Sequence, residues 1–480
     1  MIDVDIDVVT EPVIGGERSS TSAKHPVVDP SLGTVIGELS LGGIEEIDAA
    51  VSAAKRAAQQ WSGQAPEVRA RVMRKVAESI RAHSEELAYV ETIDTGKPLS
   101  QSRSDVALAA RYFEFYSAAV ETLGGATVPL EHGLAFTSME PLGVTGHIVP
   151  WNYPIQIMCR SIAPSIAAGN AVVVKPAEDA CLTPLLSAKL ALEAGLPAGV
   201  FNVVPGLGTV AGEALAAHPD IEHVAFTGSV PVGRHVAAVA AKRGRPSLLE
   251  LGGKGAHLVL EHADLDRCIP TILRTLLQNG GQTCSAGTRL VIHESLWPAA
   301  EKMLQSALAD IRIGVGSSDP DLGPLISDRQ RERVRGYVER AISDGGVVTA
   351  TKAVGSELTG FFVPPAIVCG VSPTSELAQD EIFGPVLSVL PFETEAEGID
   401  IVNGSRYGLT SGVWTSDADA ALRAAKRVVA GQVYVNGFVA GGGVELPFGG
   451  FKDSGYGREK GVQALAAYTQ SKTTVISIAD

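Results

Sequence analysis

Hydrophobic and polar positions in the first third of the chain repeat mostly at helical spacing. Residues 44–60, 66–92 and 101–120 place alanine and larger apolar residues three or four positions apart, which predicts three amphipathic helices. Two glycines at 124 and 125 then open a stretch, 126–142, whose pattern predicts extended chain. The N-terminal part is therefore expected to be helical up to a short extended segment.

From residue 143 the pattern changes to an alternation of strands and helices. The predicted strands are 146–149, 171–174, 200–204 and 223–226, and the predicted helices are 154–168, 183–194 and 209–217. This order predicts βαβ units, a mostly parallel sheet and a dinucleotide-binding domain. Residues from 253 to about 450 repeat the alternation more loosely and predict a second α/β domain. The last twelve residues predict one strand, which must pair with a distant segment or with another subunit.

Composition narrows the class of protein. A chain of 480 residues is too long for one ordinary core and predicts two or three domains. A hydrophobic content of 45% with 52 glycines is typical of a compact, loop-rich α/β protein. The net charge of −15 argues against nucleic acid or an anionic membrane as a partner. Five cysteines without a CxxC pair predict free thiols in a reducing compartment.

Targeting and metal-binding signals are not evident in the sequence. Residues 1–7 are acidic and do not resemble a signal peptide. The longest apolar stretch, 161–174, is interrupted by Pro164, Gly169 and Asn170, so no membrane span is expected. The ten histidines form no HxxxH or HxH pair, and no metal site is expected. A cytoplasmic enzyme that acts on a small molecule is the resulting prediction.

Cys284 is the strongest candidate for chemistry. It lies among glycines and small polar residues in 278–289, a setting that suits access by a small molecule better than core packing. Glu250 lies in 249–254 between leucines and glycines, which predicts a buried carboxylate. A thiol nucleophile and a buried base are two parts of a covalent catalyst. The other four cysteines, at 159, 181, 268 and 369, lie in apolar or helical segments and are predicted to be core thiols.

Two glycine clusters compete as the phosphate-binding turn of a nucleotide site. The first, 206–212, is a near miss for GxGxxG; the second, 226–233, offers Ser229 and backbone N–H groups at a helix start. Lys175 and Glu178 follow a buried strand, at the sheet edge where ligands of α/β folds bind. A carboxylate at Glu178 would repel a 2′-phosphate and so favours NAD over NADP.

Seven segments together resemble one family in the order in which the family carries them. They are Pro150-Trp151-Asn152-Tyr153-Pro154, Val174-Lys175-Pro176-Ala177-Glu178, Phe226-Thr227-Gly228-Ser229, Leu249-Glu250-Leu251-Gly252-Gly253-Lys254, Gly281-Gln282-Thr283-Cys284, Glu381-Ile382-Phe383-Gly384-Pro385, and Pro447-Phe448-Gly449-Gly450 with Ser454-Gly455. Over nearly its whole length the chain resembles the NAD(P)-dependent aldehyde dehydrogenase superfamily, of the hydrolytic, non-acylating type.

The resemblance implies a role for each of these positions. Cys284 resembles the nucleophile, Glu250 the general base, and the Asn152 amide with the Cys284 backbone N–H the oxyanion hole. The residues implied at the NAD site are Lys175 and Glu178 at the adenosine ribose, Ser229 at the pyrophosphate, Glu381 and Phe383 at the nicotinamide ribose, and Trp151, Gly228 and Gly233 around them.

The resemblance also implies a division of the chain. An NAD-binding domain would comprise 1–121 and 141–252, and a catalytic domain 253–453. Residues 122–140 and 468–480 would form a small β oligomerisation hairpin with the C-terminal strand. The predicted fold is therefore a Rossmann-like domain, a second α/β domain and this hairpin, assembled as a homodimer or homotetramer.

The sequence says less about which aldehyde is the substrate. Tyr153 and Phe448 are predicted aromatic walls of the pocket, with Thr283 and Ser285 beside the cysteine. Arg160 resembles the arginine that holds the substrate carboxylate in succinic semialdehyde members. Those members carry a second arginine where this chain has Gln278. A polar or acidic aldehyde and an aliphatic or aromatic one both stay open.

Three other functions compete with hydrolytic aldehyde oxidation. A CoA-acylating enzyme would not need Glu250, whereas a cysteine hydrolase acting on esters would not need the dinucleotide motifs. A non-catalytic protein on this fold would not need the complete set of catalytic residues. Each alternative thus leaves some of the observed motifs unexplained.

Overall fold

The computed structural model describes residues 9–439 and 442–478. Residues 1–8, which include the acidic segment 1–7, and residues 440–441 and 479–480 lie outside this part. The helices are α1 (Ile44–Ser62), α2 (Pro66–Ala82), α3 (Ser84–Thr95), α4 (Leu99–Ala119), α5 (Pro154–Ala168), α6 (Leu182–Glu193), α7 (Glu213–Ala217), α8 (Val230–Lys242), α9 (Leu265–Leu277), α10 (Trp297–Ala309), α11 (Asp328–Ser343), α12 (Glu376–Gln379), α13 (Glu395–Asn403), α14 (Ala418–Arg427) and α15 (Gln463–Ala467).

The strands are distributed over the whole described chain. They are β1 (Val13–Ile14), β2 (Glu17–Arg18), β3 (Lys24–Asp29), β4 (Thr34–Ser40), β5 (Thr127–Leu130), β6 (Gly133–Pro141), β7 (Val144–Val149), β8 (Ala171–Pro176), β9 (Phe201–Val203), β10 (His223–Thr227), β11 (Ser247–Glu250), β12 (Gly255–Val259), β13 (Gly287–His293), β14 (Val347–Thr351), β15 (Ala366–Cys369), β16 (Val386–Phe392), β17 (Tyr407–Gly408), β18 (Thr410–Trp414), β19 (Gln432–Val435), β20 (Phe451–Lys452), β21 (Gly455–Tyr456) and β22 (Thr469–Ser477).

An eight-stranded sheet organises the first half of the chain. Its order is β2-β1-β9-β8-β7-β10-β11-β21, and the five strands from β9 to β11 are parallel. Successive strands run outward from β7 in both directions, so the connections change direction beside β7. Ligands of such sheets bind at this switch point, outside the carboxyl ends of the strands. The predicted parallel sheet is confirmed.

A seven-stranded sheet organises the second half. Its order is β14-β15-β16-β13-β12-β18-β19, and each neighbouring pair is parallel except β14 and β15. Apolar side chains of α9 and α10 pack on one of its faces, while α13 and α14 contribute to another buried cluster. The second α/β unit is therefore confirmed, although the exact domain boundaries stay a prediction.

The C-terminal strand finds its partner within the same chain. β22 pairs antiparallel with β6 along its whole length, and β6 pairs with β5 to give a three-stranded sheet. Residues 126–142 are thus extended as predicted, and the pairing resolves the choice between a distant segment and another subunit. Val128, Phe136 and Val475 are exposed apolar residues on this sheet.

Two helix predictions need correction. The segment 66–92 is not one helix but two, α2 and α3, because His83 between them leaves the helical region at φ −104° and ψ 22°. The segment 209–217 begins with a wider π-helical turn over 208–212 before α7. The apolar spacing continues through both irregularities, so periodicity alone does not reveal them. Within the described chain, no helix is long and apolar enough to cross a membrane.

Candidate active site

Cys284 lies in the loop that joins α9 to β13. A tight turn over 278–281 precedes it, in which Asn279, Gly280 and Gly281 all have positive φ angles of 50°, 64° and 73°. Gly253 passes directly behind the loop: a Cβ atom at Gly253 would lie 2.2 Å from the Cys284 carbonyl oxygen. The glycines around both segments therefore allow two backbones to meet and to hold the thiol in place.

Two cavities meet at Cys284. A larger one of about 640 Å³ and a smaller one of about 200 Å³ share only Cys284 and Ile157 in their walls. The thiol is half-buried, whereas Cys159, Cys181 and Cys268 are buried as predicted; Cys369 is half-buried on β15. Burial raises the pKa of Cys284 to about 12 even though the charge of Arg160 acts to lower it.

The larger cavity collects every residue predicted for the substrate pocket. Its wall includes Tyr153, Arg160, Gln278, Thr283, Ser285 and Phe448. It also includes Gln156, Asp105 and Lys460, which the sequence did not single out. The Tyr153 hydroxyl lies 2.7 Å from Thr283 Oγ1 and so connects this wall to the residue before Cys284.

The side chain of Asn152 is held next to the Cys284 loop by a hydrogen bond. It follows β7 and precedes α5, whose first residue, Pro154, suits a helix start. Its side-chain Nδ2 donates to the Gln282 carbonyl oxygen at 2.9 Å, and the residue is 3% exposed. An amide nitrogen carries two hydrogens, so one remains for an oxygen in the smaller cavity, which Asn152 lines.

Glu250 ends β11 and is buried, as its apolar neighbours predicted. It is 2% exposed, lines the smaller cavity, and within the described residues neither carboxylate oxygen has a hydrogen-bond partner. Burial, and then the nearby charge of Glu459, raise its pKa well above the usual value, against the opposing charge of Arg160. A smaller fraction of Glu250 is therefore ionised at a given pH than of a solvent-exposed carboxyl group.

The smaller cavity opens at the switch point of the eight-stranded sheet. Its wall is built from the segments that follow β7, β10 and β11: Pro150, Trp151 and Asn152, then Gly228 and Ser229, then Leu251 and Gly252. Ser229 immediately precedes α8, where helix N–H groups are available to an anion. Of the two competing glycine clusters, only the second thus contributes to this wall.

Glu381 and Phe383 line the opposite side of the smaller cavity. The Gly253 backbone N–H donates to Glu381 Oε1 at 3.0 Å, and burial raises the pKa of Glu381 to about 7. The ring of Phe383 meets Trp151 edge-on at 5.3 Å between centroids. Sequence reasoning missed Gln330 and Arg333 on α11, which line the cavity and donate to the carbonyls of Phe383 and Glu381 at 2.8 Å each. No local motif marks these two residues.

Three predicted cofactor residues do not line the smaller cavity. Lys175 is the last residue but one of β8, which pairs with β7, and its Nζ lies 3.0 Å from Glu178 Oε2. Burial raises the pKa of Glu178, but the charge of Lys175 and hydrogen bonds bring it below the usual value. Gly233 is a packing position: a Cβ atom there would lie 2.4 Å from Leu251.

A buried ion pair corrects the interpretation of Arg160. Its guanidinium pairs with Glu459, and both side chains are at most 5% exposed. The guanidinium also lies over the ring of Phe448, with 5.1 Å from its central carbon to the ring centroid. Arg160 lines the larger cavity as predicted, but Glu459 already neutralises its charge, so the guanidinium is not an unpaired cation for a substrate carboxylate. Lys460 is also buried, and burial lowers its pKa to about 7.

The described residues show no group of three or more histidine, cysteine, aspartate or glutamate side chains placed to hold a metal ion. The arrangement instead offers a nucleophilic thiol between two cavities, an amide donor beside it and a carboxyl group across the smaller cavity. This combination suits covalent chemistry on a carbonyl carbon next to a second bound molecule.

Comparison with known proteins identifies relatives along nearly the whole chain. A profile of the aldehyde dehydrogenase family matches residues 17–474. Hydroxyisobutyraldehyde dehydrogenase of Mycolicibacterium austroafricanum is 38% identical over 99% of this chain and 96% of its own. Betaine aldehyde dehydrogenase of Cereibacter sphaeroides is 40% identical over 96% and 95%. The NAD⁺ complex of an aldehyde dehydrogenase from Bacillus cereus superposes with a TM-score of 0.95, at 36% identity over 98% and 97%.

The chain belongs to the aldehyde dehydrogenase family. It has the aldehyde dehydrogenase fold and is an oxidoreductase of that class. The predicted family and fold are thereby confirmed.

Proposed function

We propose that this protein oxidises an aldehyde to a carboxylic acid with NAD, through a covalent intermediate on Cys284. The position of the thiol carries the proposal: it is exposed to two cavities at once, one for each reactant. The larger cavity would hold the aldehyde and the smaller one the nicotinamide. The relatives with bound NAD⁺ support the choice of cofactor.

The residues of the smaller cavity fit a dinucleotide. The switch point of a parallel sheet, the start of α8 behind Gly228 and Ser229, and an aromatic wall at Phe383 are features that such ligands use. Lys175 and Glu178, at the end of the neighbouring strand β8, would meet the adenosine ribose. Since Glu178 is ionised, it disfavours a 2′-phosphate and supports NAD over NADP.

In the first half of the proposed reaction, Cys284 acts as nucleophile. The Cys284 thiol first gives up its proton to solvent. Its sulfur then forms a bond to the aldehyde carbon, and the carbonyl π electrons move onto the oxygen. The free hydrogen of Asn152 Nδ2 and the Cys284 backbone N–H stabilise that oxyanion, and losing one such donor typically costs on the order of 10²–10³ in rate. When the oxyanion collapses, a hydride leaves the aldehyde carbon and a thioester remains on Cys284; NAD held in the smaller cavity would supply the acceptor for that hydride.

In the second half, Glu250 acts as general base. It takes a proton from water while the water oxygen bonds to the thioester carbon; the carbon–sulfur bond then breaks and the acid leaves. Burial raises the pKa of both Cys284 and Glu250, so a smaller fraction of each is ionised than of a solvent-exposed thiol or carboxyl group. Turnover therefore requires proton release from the site, and the rate is expected to increase with pH.

Absorbance of reduced nicotinamide tests the proposal directly. The wild-type protein is assayed with a panel of aldehydes, with NAD and NADP separately, and the product is analysed with and without CoA. Cys284→Ala should abolish turnover while leaving NAD binding intact, and Cys369→Ala, which removes a half-buried thiol outside both cavities, serves as the matched control. Absence of signal with every aldehyde despite bound cofactor would refute the proposal, and an acyl-CoA product would favour the acylating alternative.

We further propose that the substrate is a neutral polar aldehyde. The larger cavity combines uncharged polar groups, among them Gln156 and Gln278, with Arg160, whose charge Glu459 neutralises, and Lys460, whose pKa burial lowers to about 7. Arg160 and Lys460 already lie over the ring of Phe448, so this ring is not open to a quaternary ammonium aldehyde, which proteins usually hold among aromatic rings. The pairing of Arg160 with Glu459 weakens the case for a carboxylate-bearing aldehyde.

Aldehydes of similar size and different charge separate these possibilities. kcat/KM should be highest for a hydroxyl-bearing aldehyde, compared with betaine aldehyde, succinic semialdehyde and an unsubstituted alkanal. Preference for betaine aldehyde or for the semialdehyde would contradict the proposal.

Oligomerisation stays a prediction of the resemblance. The exposed apolar residues of the sheet β22-β6-β5 support a homo-oligomer in which this sheet contacts another subunit. Light scattering at several protein concentrations would distinguish a dimer, a tetramer and a monomer.

A further inference from the structure

We propose that Lys97 is a positioning residue that holds Asn152 in the geometry of the oxyanion hole. Lys97 lies between α3 and α4, far from the motifs that carry the chemistry, yet its Nζ donates to the Asn152 backbone carbonyl at 3.0 Å. The inference rests on the proposed function, in which Asn152 stabilises the oxyanion.

Asn152 is restrained at both its ends. Its backbone carbonyl accepts from Lys97 Nζ and, at 2.7 Å, from Asn279 Nδ2. Its side-chain amide donates to the Gln282 carbonyl, two residues before the nucleophile. Lys97 is the only charged donor among these contacts, and hydrogen bonds from charged donors are roughly twice as strong as neutral ones. Loss of Lys97 would thus remove the strongest restraint on the Asn152 backbone.

The lysine is itself held by two buried carboxylates. Its Nζ lies 2.7 Å from Asp105 Oδ2 and 3.2 Å from Glu91 Oε1, and all three side chains are nearly inaccessible to solvent. Burial lowers the pKa of Lys97, but the two carboxylates overcome this effect and raise it above the usual value. Lys97 is therefore a fixed ammonium with its direction set by α3 and α4.

The same ammonium also contacts the neighbour of Asn152. Its Nζ lies 4.4 Å from the centroid of the Tyr153 ring, whose hydroxyl reaches Thr283 Oγ1. Two connections consequently run from Lys97 to the Cys284 loop, one through Asn152 and Gln282 and one through Tyr153 and Thr283. A substitution far from the reacting atoms can lower the rate about 10²-fold when it displaces a catalytic group by 1 Å.

The test compares variants that leave one buried carboxylate, Glu91, without its cation rather than two. Lys97→Met alone would leave two carboxylates without their cation, which endangers folding. Asp105→Asn is therefore the reference protein, and Asp105→Asn with Lys97→Met is the test protein. Stopped-flow measurement of the first NADH formed per site reports hydride transfer separately from later steps.

The expected result is a loss of roughly 10- to 100-fold in the hydride-transfer rate, with little change in KM for NAD. Asn152→Ala is then added to both proteins. If Lys97 acts through Asn152, the Lys97→Met effect should largely vanish in the Asn152→Ala background, since residues that act as one unit are not additive. If Lys97 has only a structural role, Lys97→Met should slow hydride transfer by the same factor with and without Asn152→Ala.

Arg69→Met in the Asp105→Asn background is the matched control. Arg69 is another buried cation that donates to a backbone carbonyl, that of Ala167 at 2.9 Å, and it lines neither cavity. It should lower thermal stability without slowing hydride transfer. An unchanged rate in the Lys97→Met protein, or equal effects with and without Asn152, would overturn the positioning role. Absence of activity in the wild-type protein would instead refute the proposed function.

Discussion

The ion pair between Arg160 and Glu459 lends itself to a quantitative test. Both side chains are almost fully buried, at 5% and 1% exposure, so neither charge is well solvated when its partner is removed. Glu459→Gln changes little in volume but leaves the Arg160 guanidinium without a counter-ion. Breaking a buried pair in this way typically costs about 3–5 kcal/mol. We therefore expect a large decrease in the free energy of unfolding.

An exposed pair in the same protein provides the control. Arg103 and Glu85 are joined by an ion pair at 2.7 Å, but their side chains are 44% and 66% exposed. Glu85→Gln should cost at most about 1 kcal/mol, because water screens the charges. Urea unfolding followed by fluorescence, at matched protein concentration, measures both variants. Equal costs for Glu459→Gln and Glu85→Gln would refute the reasoning.

The same substitution also tests the electrostatics of Glu250. After burial, the charge of Glu459 is the next cause that raises the Glu250 pKa, whereas Arg160 lowers it. Glu459→Gln removes the negative charge that raises the pKa of Glu250. It also leaves the positive charge of Arg160 without its counter-ion, so Arg160 lowers the pKa of Glu250 more strongly. Its ionised form then appears at lower pH, and the acidic limb of the deacylation profile should move to lower pH. A limb that stays in place or moves upward would show that Glu459 does not act on Glu250.

Three further substitutions give distinct outcomes. Glu250→Gln should leave a burst of about one NADH per site and should lower the steady-state rate after the burst on the order of 10²–10⁴-fold, because only the second half-reaction needs the base. Loss of the burst would argue for another role of Glu250. Glu178→Ser should increase kcat/KM with NADP relative to NAD by roughly 5-fold, since it removes a repelling charge, and an unchanged ratio would contradict the assigned ribose contact. Arg160→Ala should lower kcat/KM for neutral and acidic aldehydes alike; a KM increase confined to carboxylate-bearing aldehydes would restore the interpretation of Arg160 as their binding residue.

Much of the fold was predictable because its signals are local. The apolar runs at β7, β8 and β10 and the alternation with helices predict a parallel sheet before any contact is known. The break at His83 was not predictable in this way, since the apolar spacing of α2 continues into α3. The partner of β22 could not be predicted either, because the residue pattern of a strand does not specify which sheet edge it will pair with.

Some residues of the candidate site could be predicted from the sequence, whereas others are placed there only by packing. Cys284 and Glu250 stood out because each lies in a short segment whose residue types are unusual for their surroundings, whereas the role of Asn152 was predicted only through the family resemblance. Gln330 and Arg333 did not, because α11 places them at the smaller cavity only through packing. Their polar side chains are unremarkable in a helix that is largely exposed.

The sequence by itself determined which elements form and which residue types stand at their ends, because backbone preferences and apolar spacing act between near neighbours. Only the tertiary structure decided the charges of the site. It pairs Arg160 with Glu459 and brings Lys97 to the carbonyl of Asn152, although these partners are distant along the chain. The strength of a buried charge depends on what surrounds it in space. For that reason the motif at Arg160 suggested a substrate-binding residue, and packing made it the partner of a buried carboxylate.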